Sequence, residues 1–212
     1  KLHGWYLEHP QARAVVLYCH GNGENVAWMG PNMHRIREAY EVSIFAFDFR
    51  GYGKSEGRPN EKGIIADGKA ARTWLSERAD VDPQQIVLWG RSLGGAVAVQ
   101  LAAETPARGL ILDRTFSSLT DVAAHHYPWL PVRHLLRNRY DSLAFIGRIQ
   151  GPLLQSHGTL DGVIPYMLAE KLFAAADSAE PKRLFTMEGV GHNDPGPREY
   201  DQVLADFFRD LP

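Results

Sequence analysis

The sequence predicts an α/β domain built on a mostly parallel sheet, and three observations carry that expectation. Short β-branched and aromatic runs alternate with longer segments of helical periodicity, the pattern of βαβ units. Each short run is continuously apolar, as strands covered by helices on both faces must be. The chain has 212 residues, 44% hydrophobic and 23% charged, which suits one folded domain with a sizeable core.

Taken in order, the strand candidates are Val15–Cys19, Ile44–Asp48, Ile86–Trp89, Leu110–Asp113, Leu153–His157 and Leu184–Met187, with a weaker edge strand near Trp5–Leu7. The helix candidates are Asn32–Tyr40, Lys62–Arg78, Leu93–Ala103, Pro165–Ala176 and Pro197–Leu211. In the last of these, Tyr200, Val203, Leu204, Phe207, Phe208 and Leu211 form one apolar stripe at helical spacing. Two helices open on proline, whose missing N–H costs nothing in a first turn. No strand is expected from 115 to 149, where Pro128 and Pro131 punctuate the chain and Val132–Arg139 reads as a short helix. An insertion at the carboxyl end of a strand lies over the ligand crevice of an α/β sheet. The expectation is therefore a single domain over 1–212 with a small cap around 115–149, the alternative being connecting helices on the sheet flank.

Composition excludes several classes of function. The formal net charge is −2 and the basic residues are scattered, so no nucleic-acid partner is expected. A single cysteine, Cys19, rules out an intrachain disulfide, and no cluster with zinc-ligand spacing stands out, so neither metal nor cofactor is expected. No stretch is long and apolar enough to span a bilayer. The sequence begins at Lys1 rather than Met, so any membrane proximity is expected to come through an upstream segment; compartment and oligomeric state stay unassigned.

Chemistry concentrates in four segments. Gly90-Arg91-Ser92-Leu93-Gly94 follows an apolar run and precedes an Ala-rich helix, the strand–turn–helix setting of a nucleophile elbow. The glycines leave room for a strained turn that lifts Ser92 above the sheet. A serine hydroxyl needs a base. Among nine histidines only His192, in Gly191-His192-Asn193-Asp194, follows the last strand in a flexible loop, completing the order serine, acid, histidine. Asp161 lies just past the Leu153–His157 strand and is favoured as the acid over Asp113, which ends the strand before it. The acid's task is to hold the imidazole tautomer and stabilise the imidazolium. His157 is expected to be a buried, hydrogen-bonded structural residue, and Asp194 a loop or cap group. Finally, His20-Gly21-Asn22-Gly23 follows the Val15–Cys19 strand. Its Asn22 N–H and that of Leu93 are the expected oxyanion donors, with His20 bracing the loop.

These segments, together with Asp48-Phe49-Arg50-Gly51-Tyr52-Gly53-Lys54-Ser55, resemble the serine-hydrolase branch of the α/β-hydrolase superfamily. The likeness runs through nearly the whole chain, in order. It is similar in particular to capless or small-cap α/β-hydrolase-domain proteins, a group that includes membrane-anchored protein depalmitoylases. The resemblance implies a mostly parallel sheet of about eight strands and a Ser-Asp-His triad, with Asp48 and Arg50 structural. Leu160 and Gly162 depart from the acidic or small residues relatives often carry there.

The activity expected is hydrolysis of a carboxylic ester or thioester in a small-molecule or acylated substrate, through an acyl-enzyme on Ser92. The alternatives are a peptidase or amidase on the same three residues, or a non-catalytic small-molecule receptor with a hydrolase fold. Trp129 and Leu130, in an aromatic and proline-rich stretch, are candidate walls of an acyl groove.

Overall fold

A computed structural model describes all residues, 1–212. One sheet of seven strands runs through it: β1 (Gly4–Leu7), β2 (Ala14–Cys19), β3 (Val42–Phe47), β4 (Ile86–Arg91), β5 (Gly109–Asp113), β6 (Gly151–Gly158) and β7 (Ala179–Met187). The resemblance implies about eight; the seven found are those the apolar runs predict, and 115–149 contributes only helices. The spatial order is β1-β3-β2-β4-β5-β6-β7, with β1 antiparallel and every other pairing parallel.

The helices divide between the two faces. On one side α2 (Glu61–Ala79), α3 (Leu93–Glu104) and α7 (Tyr166–Ala174) bury Ile64, Leu75, Val97 and Leu172 against the sheet. On the other, α1 (Val26–Tyr40) and α8 (Arg198–Arg209) bury Met33, Ile36, Leu204 and Phe208. Helix α1 begins upstream of the predicted Asn32 start. Asn25 caps it by accepting from the Trp28 N–H at 3.0 Å, and buried Val26, Met29 and Met33 hold it on the sheet across Pro31. A proline removes one helical bond, but here the cap and the apolar stripe outweigh that loss.

The segment after β5 forms α4 (Leu119–His126), α5 (Val132–Leu135) and α6 (Leu143–Ile146). Helix α5 stops well short of the predicted Arg139. The cause is tertiary: the Glu61 carboxylate, at the start of α2, accepts from the N–H groups of Arg139 and Tyr140 at 2.6 and 2.9 Å. Asn138 Oδ1 in turn accepts from the Glu61 N–H at 3.1 Å. A charged acceptor on two backbone donors outcompetes continued helix.

The strand order reverses direction between β2 and β4, which pair in register from Val15 opposite Ile86 to Cys19 opposite Gly90. Their carboxyl ends therefore deliver His20-Gly21-Asn22 and Ser92 side by side at the switch point, where open α/β sheets bind ligands.

Candidate active site

Ser92 sits between β4 and α3 with φ 51° and ψ −117°, a backbone that L-residues rarely adopt. The turn is over-determined. The Ser92 N–H donates to the Asp113 carbonyl at 2.9 Å, and its carbonyl accepts from Thr115 Oγ1 at 2.7 Å and the Gly95 N–H at 3.0 Å. Glycine is required beside it: a Cβ on Gly90 would strike the Gly94 carbonyl, and one on Gly94 the Cys19 carbonyl. The strain lifts the hydroxyl to the floor of a cavity while the residue stays 8% exposed.

Three elements converge on that hydroxyl. His192, in the loop between β7 and α8, places Nε2 3.1 Å from Ser92 Oγ. Its Nδ1 lies 2.7 Å from Asp161 Oδ2, in the loop after β6. The other carboxylate oxygen accepts from the Val163 and Ile164 N–H groups at 2.9 and 2.7 Å. Since Asp161 is surrounded by donors, Nδ1 carries the proton and Nε2 presents its lone pair to the serine hydroxyl. Burial favours the neutral acid, but bonds from His157, His192 and the Ile164 amide outweigh it and hold the carboxyl well below the usual carboxylate range. Asp113 is elsewhere: it accepts from Ser156 Oγ at 3.0 Å and faces Arg91 and Arg114 at 3.9 and 3.6 Å.

The loop after β2 is braced as expected. The Phe49 N–H donates to His20 Nε2 at 3.2 Å, so Nδ1–H donates to the Gly21 carbonyl at 2.7 Å. This neutral tautomer agrees with burial pushing His20 below the usual histidine range. Tyr52 donates to Asn22 Oδ1 at 2.6 Å and holds that side chain aside. Asn22 and Leu93 both line the cavity with Ser92, and Leu93, as the first residue of α3, has an N–H with no partner inside its helix.

Four further residues position this site and carried no sequence signal specific enough to single them out for it. His157, fully buried, donates from Nε2 to the Ile164 carbonyl at 2.8 Å and faces Asp161 Oδ2 at 3.2 Å. Its burial was expected; its contact with the acid arises because β6 ends one turn before Asp161. Arg91 donates to the His192 carbonyl and to Asn193 Oδ1, both at 3.0 Å, and forms an ion pair with Glu24. Arg114 donates to the carbonyls of His192 and Asp194 at 2.8 and 2.7 Å. Glu24 also accepts from the Gly21 N–H at 2.7 Å, tying the loop after β2 to the histidine loop through Arg91. Arg91 stands at a free position of the elbow pattern, which is why the pattern is silent about it. Asp194 is a loop group, accepting from the Gly191 N–H at 2.8 Å.

The cavity above Ser92 measures about 360 Å³. Ile64, Phe116, Leu119, Val122, Val163 and Ile164 supply most of its apolar wall. Trp129 and Leu130 do not line it. The chain turns outward after α4, with the Leu130 N–H donating to the Tyr127 carbonyl, and Trp129 is left 73% exposed. The residues of this stretch that do reach the cavity wall are Leu119 and Val122, on α4 before the chain turns outward. No group of three or more His, Cys, Asp or Glu side chains is placed to hold a metal ion.

Comparison with known proteins agrees with this fold. Residues 14–144 match the family model described as alpha/beta hydrolase fold. An uncharacterized protein of Mycobacterium tuberculosis is 45% identical over 197 residues, covering 92% of this chain and 69% of that one. Protein bem46 of Schizosaccharomyces pombe is 32% identical over 207 residues, covering 95% and 69%. Among solved structures, Pyrococcus furiosus esterase Pf2001 superposes with a TM-score of 0.78 at 20% identity, over 99% of this chain and 87% of that one. Paleococcus ferrophilus monoacylglycerol lipase gives 0.74 at 19% identity, over 98% of each chain. With the sheet order, the elbow and the family match in agreement, the chain belongs to the α/β-hydrolase family.

Proposed function

We propose that this protein is a serine hydrolase that cleaves a carboxylic ester or thioester through an acyl-enzyme on Ser92. The observation that carries the reading is the chain of contacts Ser92 Oγ, His192 and Asp161, at 3.1 and 2.7 Å, on the floor of an apolar cavity. His192 Nε2 takes the hydroxyl proton as Oγ attacks the carbonyl carbon, and Asp161 stabilises the imidazolium that forms. The N–H groups of Asn22 and Leu93 receive the developing oxyanion, helped by the positive end of α3. Collapse expels the alcohol or thiol with the proton from His192. Water, deprotonated by the same nitrogen, then releases the acid.

The cavity lies at the small end of ligand pockets, which run from roughly 300 to 1,000 Å³. Its apolar wall suits a short or medium acyl group better than a charged peptide, and this ranks ester and thioester above amide. The esterase and lipase activities named for the two solved structures point the same way. The test is a fluorophosphonate probe followed by turnover on parallel panels of p-nitrophenyl esters, acyl thioesters and aminoacyl amides. The expected result is a label on Ser92 alone, multiple turnovers on esters or thioesters, and loss of both in Ser92→Ala. A label on Ser55 or Ser117 would overturn the nucleophile. Stoichiometric reaction without turnover would make the protein a receptor, and preference for amides would make it a peptidase.

A further inference from the structure

The cap presents a surface that hydrolysis does not require. Tyr127, Trp129, Leu130 and Leu135 stand exposed on it, Tyr127 and Trp129 edge to face with ring centroids 5.8 Å apart. Beside them Leu160, Val163 and Met167 are exposed in the loop after β6 and the first turn of α7. The two groups form one face, because His126 Nε2 hydrogen-bonds the Val163 carbonyl at 2.9 Å. Val163 belongs to both the exposed face and the cavity wall, so the cavity adjoins this face. A soluble surface does not expose so many large apolar groups together without a partner.

Charge identifies the partner. From Val122 to Tyr140 the chain carries three arginines and three histidines and no acid, although its formal net charge is −2. Asp121 and Asp141 border the stretch, and Asp121 is engaged by Lys171 at 2.8 Å and by Ser117 at 2.7 Å. Arg133, Arg137 and Arg139 are exposed, within ten residues of Trp129 and on the same segment as Leu135. A second copy of the chain docking about a two-fold axis would set these arginines against their own kind. An anionic lipid surface satisfies both features at once: cations at headgroup level and Trp and Tyr rings at the polar–apolar boundary.

We propose that this face docks on an anionic bilayer, with the mouth of the cavity turned to the lipid. Docking itself is independent of catalysis; only its consequence, delivery of a membrane-resident acyl chain to Ser92, rests on the hydrolase reading.

The test is co-sedimentation of the full chain with vesicles of phosphatidylcholine alone or mixed with phosphatidylglycerol. Binding is expected on the mixed vesicles, weakening as salt rises. Replacing Arg133, Arg137 and Arg139 by Gln should lower the partition coefficient on the order of 100-fold. Trp129→Ala should lower it about tenfold. Arg209→Gln, on α8 across the sheet, should leave it unchanged. Turnover of a short soluble ester should survive in all three variants, which shows that they fold. Equal binding to both vesicle types, or binding indifferent to the cap substitutions, overturns the proposal. So does a solution dimer that Trp129→Ala dissolves while vesicles are ignored. If vesicles bind but soluble esters are not turned over by the wild type, the hydrolase reading fails and the docking stands.

Discussion

At the scale of single residues, Asp161 does two jobs through two oxygens. Oδ1 ties down the Val163 and Ile164 amides, and Oδ2 faces His192 and His157. Asp161→Asn keeps the shape but offers His192 a poorer acceptor, so kcat should fall on the order of 10⁴-fold. Asp113→Asn should change it far less, since Asp113 touches Ser156 and the arginines rather than His192. Steady-state kinetics on variants with native circular dichroism decides the ranking; the reverse order would move the acid to Asp113. The same carboxylate links stability to pH. Burial opposes its ionisation, but its hydrogen bonds prevail and its folded pKa is depressed. Such a group contributes stability that is fully present above its unfolded value, near ~3.9, and is lost as pH falls through the folded value. Denaturant midpoints for the wild type should therefore drop below about pH 4, more steeply than those for Asp161→Asn. Parallel slopes in that range would show that the carboxylate is not held in this way.

At the scale of elements, α4 and α5 after β5 bury little of their own surface. Helix α4 has no fully buried residue, and α5 has only Val132. The Glu61 carboxylate on the Arg139 and Tyr140 amides helps seat the segment, in front of a Tyr140 held at φ 41°. Asn138 and Tyr140 in turn line the cavity. Removing a charged acceptor from two amides costs roughly 1.5–3 kcal/mol for each bond. Glu61→Ala should therefore loosen this wall and raise KM for longer acyl chains at least tenfold, with kcat on acetyl esters nearly intact. A chain-length series on the folded variant checks it, and a uniform fall in kcat would mean that the Ser92 turn has been disturbed instead.

At the scale of the molecule, the sheet separates two apolar layers, and the functional loops all leave from its carboxyl edge. The layer under α1 and α8 lies on one face of the sheet, while the cavity is walled largely by elements of the other. Phe208 in that first layer stacks on Tyr40 at 5.5 Å and meets Trp89 at 6.3 Å. Phe208→Ala should cost about 3–5 kcal/mol of stability through the cavity it leaves. Per folded molecule, turnover should stay near wild type, because Trp89 precedes the elbow by a residue whose position the β4 ladder fixes on both sides. Chemical denaturation alongside active-site titration separates the two effects; a matching loss in turnover of the folded fraction would show that this layer tunes the Ser92 turn.

Much of this was legible in the sequence, because its causes are local. Continuous apolar runs specify buried strands wherever they fall, and small residues around Ser92 specify a turn that nothing larger could make. The chain order of Ser92, Asp161 and His192 follows from which strand each one succeeds, and the same logic ranked Asp161 above Asp113. Where neighbours in space but not in sequence compete, the tertiary structure decided. Val132–Arg139 carries a helical pattern, yet Glu61, far back in the chain, captures its last amides and ends the helix at Leu135. Trp129 and Leu130 have the character of a pocket wall, but the path of the chain after α4 turns them outward and leaves Leu119 and Val122 at the cavity. Arg91, Arg114, Glu24 and His157 enter the site through bonds to loops far from them in sequence, and no periodicity or motif encodes such contacts. Composition and spacing determine what each element is; only the packing of elements determines which side chains meet.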